Sequence, residues 1–113
     1  MKTLSVQILP DRLPSTDIQA MVGKLENLSS QATVQNSASD SGTDGNYINV
    51  NFVTSNVSAL WKAIESTLGL LSSTPPPASE GIIVVCEGDH GWDDYLLLYH
   101  FDKNEAIDKL PTQ

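Results

Sequence analysis

The beginning of the chain alternates apolar and polar positions and then changes to a helical period. Between Lys2 and Leu9 the apolar residues Leu4, Val6 and Ile8 alternate with polar ones, which is typical of a strand with one buried face. After Pro14 the apolar residues recur every three or four positions, which predicts an amphipathic helix. Its apolar stripe consists of Ile18, Met21, Val22, Leu25 and Leu28.

The middle of the chain is polar before the alternation returns. Ala32–Gln35 predicts a weak strand. The sequence NSASDSGTDGN, residues 36–46, is rich in turn-forming residues and predicts a long, mobile hairpin connection. The sequence YINVNFV, residues 47–53, then alternates strictly and predicts a strand with one packed face.

A second helix follows this strand. Asn56 is a suitable N-cap, because its side chain can accept a hydrogen bond from an N–H of the first turn. Gly69 is suited to the left-handed conformation in which helices often end. The apolar stripe of this second helix consists of Val57, Leu60, Trp61, Ile64 and Leu68.

The last third predicts two strands and a tail. The proline-rich residues 72–80 predict an extended connector. Gly81–Cys86 and Tyr95–Phe101 are predominantly apolar and predict two strands joined by an acidic segment. From Asp102 the spacing of capping and apolar residues predicts a short tail helix.

The element order β-α-β-β-α-β-β predicts the α+β class. It indicates a ferredoxin-like β-α-β-β-α-β antiparallel sheet with two helices on one face, plus an extra C-terminal strand and the short tail helix. The length of 113 residues predicts a single domain over residues 1–113. The last two strands are apolar on both faces, so their second face needs a cover. The tail helix, another copy of the chain or a partner protein are the three candidates.

The charge of the chain limits its partners. The formal net charge is −8, which disfavours nucleic acid and anionic membranes, because both attract lysine and arginine. Residues 80–113 hold eight acidic and two basic side chains and so carry −6 of that charge. This concentration indicates one acidic face.

The remaining composition indicates an ordinary intracellular chain. Cys86 is the only cysteine, so no intrachain disulfide is possible, and its apolar surroundings predict a small buried side chain. The first residues do not match a signal peptide, and no apolar stretch is long enough to cross a membrane. We therefore expect a cytoplasmic protein.

The candidate site is the polar segment inside VVCEGDHGWDDYLLLYHFD, residues 84–102. His90 or His100 beside a carboxylate has the chemistry of a general base, yet no nucleophile motif accompanies either, so we predict no catalytic residue and no enzyme. The spacing fits neither an EF-hand nor a zinc site, and no lysine accompanies the glycines as a phosphate loop requires. We therefore predict no metal and no cofactor.

The same segment has the chemistry of a docking surface. Tryptophan and tyrosine are enriched at interface hot spots, and carboxylates around them attract arginine and lysine of a basic partner. The alternative is that Trp92 folds back over the end of the core while the carboxylates face water. The predicted partner-binding residues are Glu87, Asp89, His90, Trp92, Asp93, Asp94 and Tyr95.

With its small size, acidity and the segment CEGDHGWDDYLLLYHFD, the chain resembles the immunity proteins of bacterial polymorphic toxins and contact-dependent growth inhibition systems. The resemblance implies a cytoplasmic inhibitor that covers the cleft of a basic protein toxin, typically a nuclease domain, with acidic side chains. Besides an enzyme that uses His90 or His100, the residues leave a runner-up open. It is a homodimeric ferredoxin-like regulatory or small-ligand-binding domain, in which the last two strands pair with a second copy.

Overall fold

The protein is an α+β structure with two helices and an antiparallel sheet in the residues that the structure describes. A computed structural model describes residues 2–12, 18–30, 34–41, 47–70, 81–88, 91–102 and 104–108. The elements are β1 (Lys2–Ile8), α1 (Ile18–Glu26), β2 (Val34–Ser41), β3 (Ile48–Thr54), α2 (Val57–Leu68), β4 (Ile82–Gly88) and β5 (Gly91–His100). No helix in these ranges is both long and apolar enough to cross a membrane.

The strands lie in the order β2-β3-β1-β4-β5. Each neighbouring pair is antiparallel. Strand β1 is therefore central, with β3 on one side and β4 on the other. The arrangement is compatible with the predicted ferredoxin-like class, and it places β4 and β5 at the opposite end of the sheet from β2.

The core lies between one face of the sheet and both helices. Val6 of β1 is in register with Val50 of β3 and with Val84 of β4, and all three are fully buried. The helices contribute Met21, Leu25, Val57, Leu60, Ile64 and Leu68 to the same buried cluster. Because both helices pack on this face, the face that carries Gln7 and Asn49 is free of the described helices.

Both predicted ends of α2 are confirmed. The side chain of Asn56 accepts a hydrogen bond from the N–H of Ala59 at 3.1 Å. Gly69 ends the helix with a φ of 68°, in the left-handed region, and its N–H bonds back to the carbonyls of Glu65 and Ser66. The sequence pattern locates this helix well because its caps are local interactions.

The interpretation of the polar middle segment is wrong for residues 36–41. These residues belong to β2, which pairs with β3 from Val34 opposite Thr54 to Ser41 opposite Ile48, with one irregularity near Asn36. Backbone hydrogen bonds to a neighbouring strand form with any side chain, so β3 overrides the weak strand preference of this sequence. Residues 42–46 of the predicted connection lie outside the described residues.

The predicted tail helix is not present in the described part of the tail, residues 102 and 104–108. The segment forms one turn, in which the N–H of Glu105 bonds to the carbonyl of Asp102 at 3.1 Å. The chain then returns to β5, where Asp108 accepts from and donates to the backbone of Leu97 at 2.9 and 2.8 Å. The N–H and carbonyl of Leu97 on the edge of β5 bond to Asp108, and the described residues of the tail form a turn instead of a helix.

Candidate binding site

The acidic segment is mostly strand, and it contains a large bulge. Strand β5 pairs with β4 at Cys86–Leu96 and again at Gly88–Gly91. Between these two pairs a single residue of β4, Glu87, faces four residues of β5, Trp92 to Tyr95. We call residues 92–95 the β5 bulge. Such insertions bend a strand locally and redirect its side chains.

Glu87 lies opposite the bulge and is bound to the protein's own backbone. Its Oε1 accepts a hydrogen bond from the N–H of Thr3 at 2.7 Å in a partly buried environment. A hydrogen bond from a backbone N–H to a carboxylate is charge-assisted and stronger than a neutral one. Glu87 therefore links β4 to the start of β1.

The close packing of the bulge on β4 depends on Gly88. A Cβ atom at this position would collide with the backbone oxygen of Asp94, and it would lie 2.7 Å from Oδ1 of the same residue. The absence of a side chain at Gly88 thus lets the bulge lie directly on β4. Gly91, directly before the bulge, has a φ of 76°, in the left-handed region that favours glycine.

The bulge presents two aromatic and two acidic side chains to solvent. Trp92 is 47% exposed and Tyr95 is 55% exposed, and Asp93 and Asp94 are exposed as well. Trp92 is not part of the buried core cluster. Asp89 and His90, the other two predicted partner-binding residues of this segment, lie outside the described residues.

A concavity lies beside the bulge on the helix-free face of the sheet. Its volume is about 440 Å³, which is within the range of roughly 300–1,000 Å³ typical of ligand sites. The bulge supplies an aromatic wall. Strand β4 supplies an apolar part of the lining, and strands β1 and β3 supply a polar part. The lining residues are Ser5, Gln7, Asn49, Asn51, Ile83, Val85, Trp92 and Tyr95.

The polar part of this concavity is a feature that the sequence pattern did not single out as a site. Ser5 is in register with Asn51, and Gln7 with Asn49, so three side-chain amides lie on adjacent strands. The alternation of β1 and β3 identified these residues only as a water-facing side. The sequence nevertheless contained a signal for a binding site, namely several carboxamide side chains on one sheet face, because such groups can both donate and accept hydrogen bonds.

The second face of β4 is partly flanked by the β5 bulge. Ile83 and Val85 are half-buried and line the concavity together with Trp92 and Tyr95. The bulge of β5 therefore flanks these side chains, whereas the sequence indicated a tail helix, a second copy or a partner. The floor of the concavity still faces solvent.

The cysteine and the described histidine have structural environments. Cys86 is fully buried, as predicted, and burial raises the pKa of its thiol to about 11, with Lys2 opposing the shift. A thiol with a raised pKa is a poor nucleophile at neutral pH. Nδ1 of His100 accepts a hydrogen bond from the N–H of Asp102 at 3.0 Å, so this nitrogen is occupied by the backbone.

Metal ligands are not grouped in the described part of the chain, where no three histidine, cysteine, aspartate or glutamate side chains lie close enough to hold an ion together. Asp89 and His90, which belong to the segment considered for a metal, are outside that part.

No protein-family model, curated protein or solved structure matches this chain. Inference about its function therefore rests on the geometry and chemistry of the β5 bulge and of the concavity beside it.

Proposed function

We propose that this protein is an inhibitor that binds a basic protein partner through the β5 bulge. The observation that supports this proposal is the exposure of Trp92, Asp93, Asp94 and Tyr95 in one four-residue segment. Large aromatic side chains supply desolvated anchor contacts at interfaces. Carboxylates beside them select a positively charged partner and accelerate its association.

The distribution of charge supports the same partner chemistry. The whole chain carries −8, and residues 80–113, which include the bulge, carry −6. A field of this sign attracts cationic surfaces, and added salt weakens the attraction. Because Glu87 is bound to the backbone of Thr3, we assign it to the support of the site. In this proposal Asp93 and Asp94, which are both exposed on the bulge, make the electrostatic contact.

The proposed partner is a basic toxin, with a nuclease domain as the preferred class. In this mechanism the exposed carboxylates imitate the phosphates that the cationic cleft of a nuclease binds, and Trp92 anchors the contact. The resemblance to immunity proteins supports this narrower proposal, which includes a cytoplasmic site of action. We also propose that the fold is ferredoxin-like, with β5 as an extra edge strand.

The test is co-expression with the product of the adjacent gene, followed by growth measurements and by binding of the purified pair. Wild type is compared with the Asp93→Lys/Asp94→Lys variant. The matched control is Asp11→Lys/Glu26→Lys, which changes the net charge equally at two exposed carboxylates outside the bulge. We expect the bulge variant to lose protection and at least about tenfold in affinity, and the control to retain most of both.

Three results count against the proposal. The first is an equal loss in both charge-reversal variants, because then only net charge matters. The second is full protection and full affinity in the bulge variant. Absence of any complex with the neighbouring product at micromolar concentrations also counts against an immunity role.

A second candidate is a homodimeric regulatory or small-ligand-binding domain, and the concavity of about 440 Å³ favours it. Its lining of amides, aliphatic groups and two aromatic rings has the mixed character of a ligand site. Light scattering of the isolated protein separates the two candidates. A stable dimer in which Trp92 becomes shielded from a soluble quencher supports this second candidate, and an exposed Trp92 in a monomer supports the inhibitor.

A further inference from the structure

We infer that the concavity on the helix-free face receives an arginine side chain of the basic partner. This inference rests on the proposed function and deepens it, because it names the group that the site recognises. The β5 bulge belongs both to the proposed docking surface and to the concavity, because Trp92 and Tyr95 are exposed on the bulge and also line the concavity.

The lining has the chemistry that a guanidinium group requires. Aromatic faces attract cations, and arginine is the cation most often found over them. Gln7, Asn49 and Asn51 line the concavity, and a carboxamide oxygen has two lone pairs, so it can accept a second hydrogen bond beside an existing one. A guanidinium group presents five N–H donors in a plane, which suits several acceptors at once.

The charges of the described residues around the concavity favour a cation over an anion. Among the residues that the structure describes, the lining contains no lysine, arginine or histidine. Between Trp92 and Tyr95 the chain carries the exposed carboxylates Asp93 and Asp94. Phosphate or a carboxylate ligand would therefore meet repulsion without a compensating cation. A neutral ligand such as a sugar would make no use of these charges.

The shape of the site favours a long side chain over a small ion. The apolar side chains of Ile83 and Val85 lie between the amides and the aromatic wall. Arginine combines a three-carbon aliphatic stem with a weakly hydrated planar head, so its stem packs on apolar surface while its head is bound. Lysine has a more strongly hydrated head and fits the acceptors less well.

The experiment titrates the isolated protein with three probes: acetyl-arginine amide, its neutral isostere acetyl-citrulline amide, and methyl glucoside. Fluorescence is read in a Trp61→Phe background, in which Trp92 is the only tryptophan. Side-chain amide and indole N–H shifts of the wild type provide a second readout, should the background variant fold poorly. We expect saturable arginine binding that is at least about fivefold tighter than citrulline binding.

Variants of the wall and of the charges test how arginine is recognised. Tyr95→Ala should weaken arginine binding about fivefold, whereas Tyr95→Phe, which keeps the ring, should stay within about twofold. Asp93→Asn/Asp94→Asn should reduce the preference for arginine over citrulline, because it removes charge and leaves the aromatic wall in place.

Three results overturn the inference: equal binding of citrulline and arginine, tighter saturable binding of the glucoside, or no saturable response to any probe. The probes need no partner protein, so this result is independent of the co-expression test. An inhibitor that binds the neighbouring product but ignores all three probes loses only the arginine site. Arginine binding by a protein that ignores the neighbouring product refutes only the proposed function.

Discussion

The backbone N–H of Thr3 donates a hydrogen bond of 2.7 Å to Oε1 of Glu87, which joins the start of β1 to the strand that precedes the bulge. The sequence grouped Glu87 with the partner-binding carboxylates. In the structure this carboxylate is bound to the backbone of a neighbouring strand, which is the observation behind the supporting role that we propose for it. Glu87 therefore joins β4 to β1 at the position that lies opposite the bulge.

Replacement of this carboxylate should affect stability. We expect Glu87→Ala to lower the free energy of unfolding by about 1–3 kcal/mol, because a partly buried N–H loses a charged acceptor. Asp93→Ala, at an exposed position of the bulge, should change it by less than about 0.5 kcal/mol. Urea unfolding measures both. Equal stabilities for the two variants would show that the Thr3–Glu87 bond contributes little.

Two glycines should respond to alanine with opposite signs. In Gly88→Ala the new methyl group meets the backbone oxygen of Asp94, so the bulge must shift, at a cost of about 1–3 kcal/mol. Gly23 lies in α1 and has nothing within 4 Å of an added Cβ. Gly23→Ala should therefore stabilise the protein by about 0.5–1 kcal/mol. Thermal unfolding compares them, and a neutral Gly88→Ala would contradict the close packing of bulge and strand.

The contact between the tail and β5 should be visible in hydrogen exchange. Asp108→Ala removes the acceptor of the Leu97 N–H, which lies 2.9 Å from Oδ2. The loss of about 0.5–1.5 kcal/mol corresponds to about two- to tenfold faster exchange at that amide. Asp108→Asn keeps a side-chain oxygen and should retain most of the protection. Unchanged exchange in the alanine variant would mean that the tail does not protect this edge.

The thiol of Cys86 should make the fold sensitive to alkaline pH. Burial raises its pKa from 9.0 to about 11, so the unfolded chain releases this proton at lower pH than the native protein. The protonated thiol therefore makes its full contribution to the free energy of unfolding below about pH 9. This contribution is lost as the pH rises through about 11, and the loss amounts to about 2 kcal/mol at that pH.

To test this prediction, the free energy of unfolding is measured as a function of pH in the wild type and in Cys86→Ala. Only the difference between the two curves reports on Cys86, because lysine and tyrosine side chains titrate in the same range. We expect the wild type to lose more stability than the variant between about pH 8 and about pH 10.5. Parallel curves would contradict a protected, buried thiol.

The hydrophobic pattern was sufficient to predict most elements and the buried core. The alternation of β1, β3 and β4 and the stripes of α1 and α2 each depend on which residues must leave water, and that property is local in sequence. Cys86 is buried as its apolar neighbours indicated. The caps Asn56 and Gly69 were found for the same reason, since each acts within one turn of the helix.

The pattern failed where a backbone pairs with a distant partner. Residues 36–41 have the composition of a turn, but they form a strand because β3 offers them hydrogen bonds. The tail from Asp102 has a helical spacing, but Asp108 returns to Leu97 at the edge of β5. Such pairing is decided by the whole sheet, and no short window of sequence contains it.

By itself the sequence determined the α+β class, the helices and the acidic, aromatic character of the candidate site, because hydrophobicity, capping and charge are properties of individual residues and their near neighbours. Only the tertiary structure decided that Glu87 binds Thr3 and that residues 92–95 form a bulge over Gly88. It also decided that Gln7, Asn49 and Asn51 share a concavity with Trp92 and Tyr95. These relationships join four strands across the chain, and sheet register alone brings such residues together.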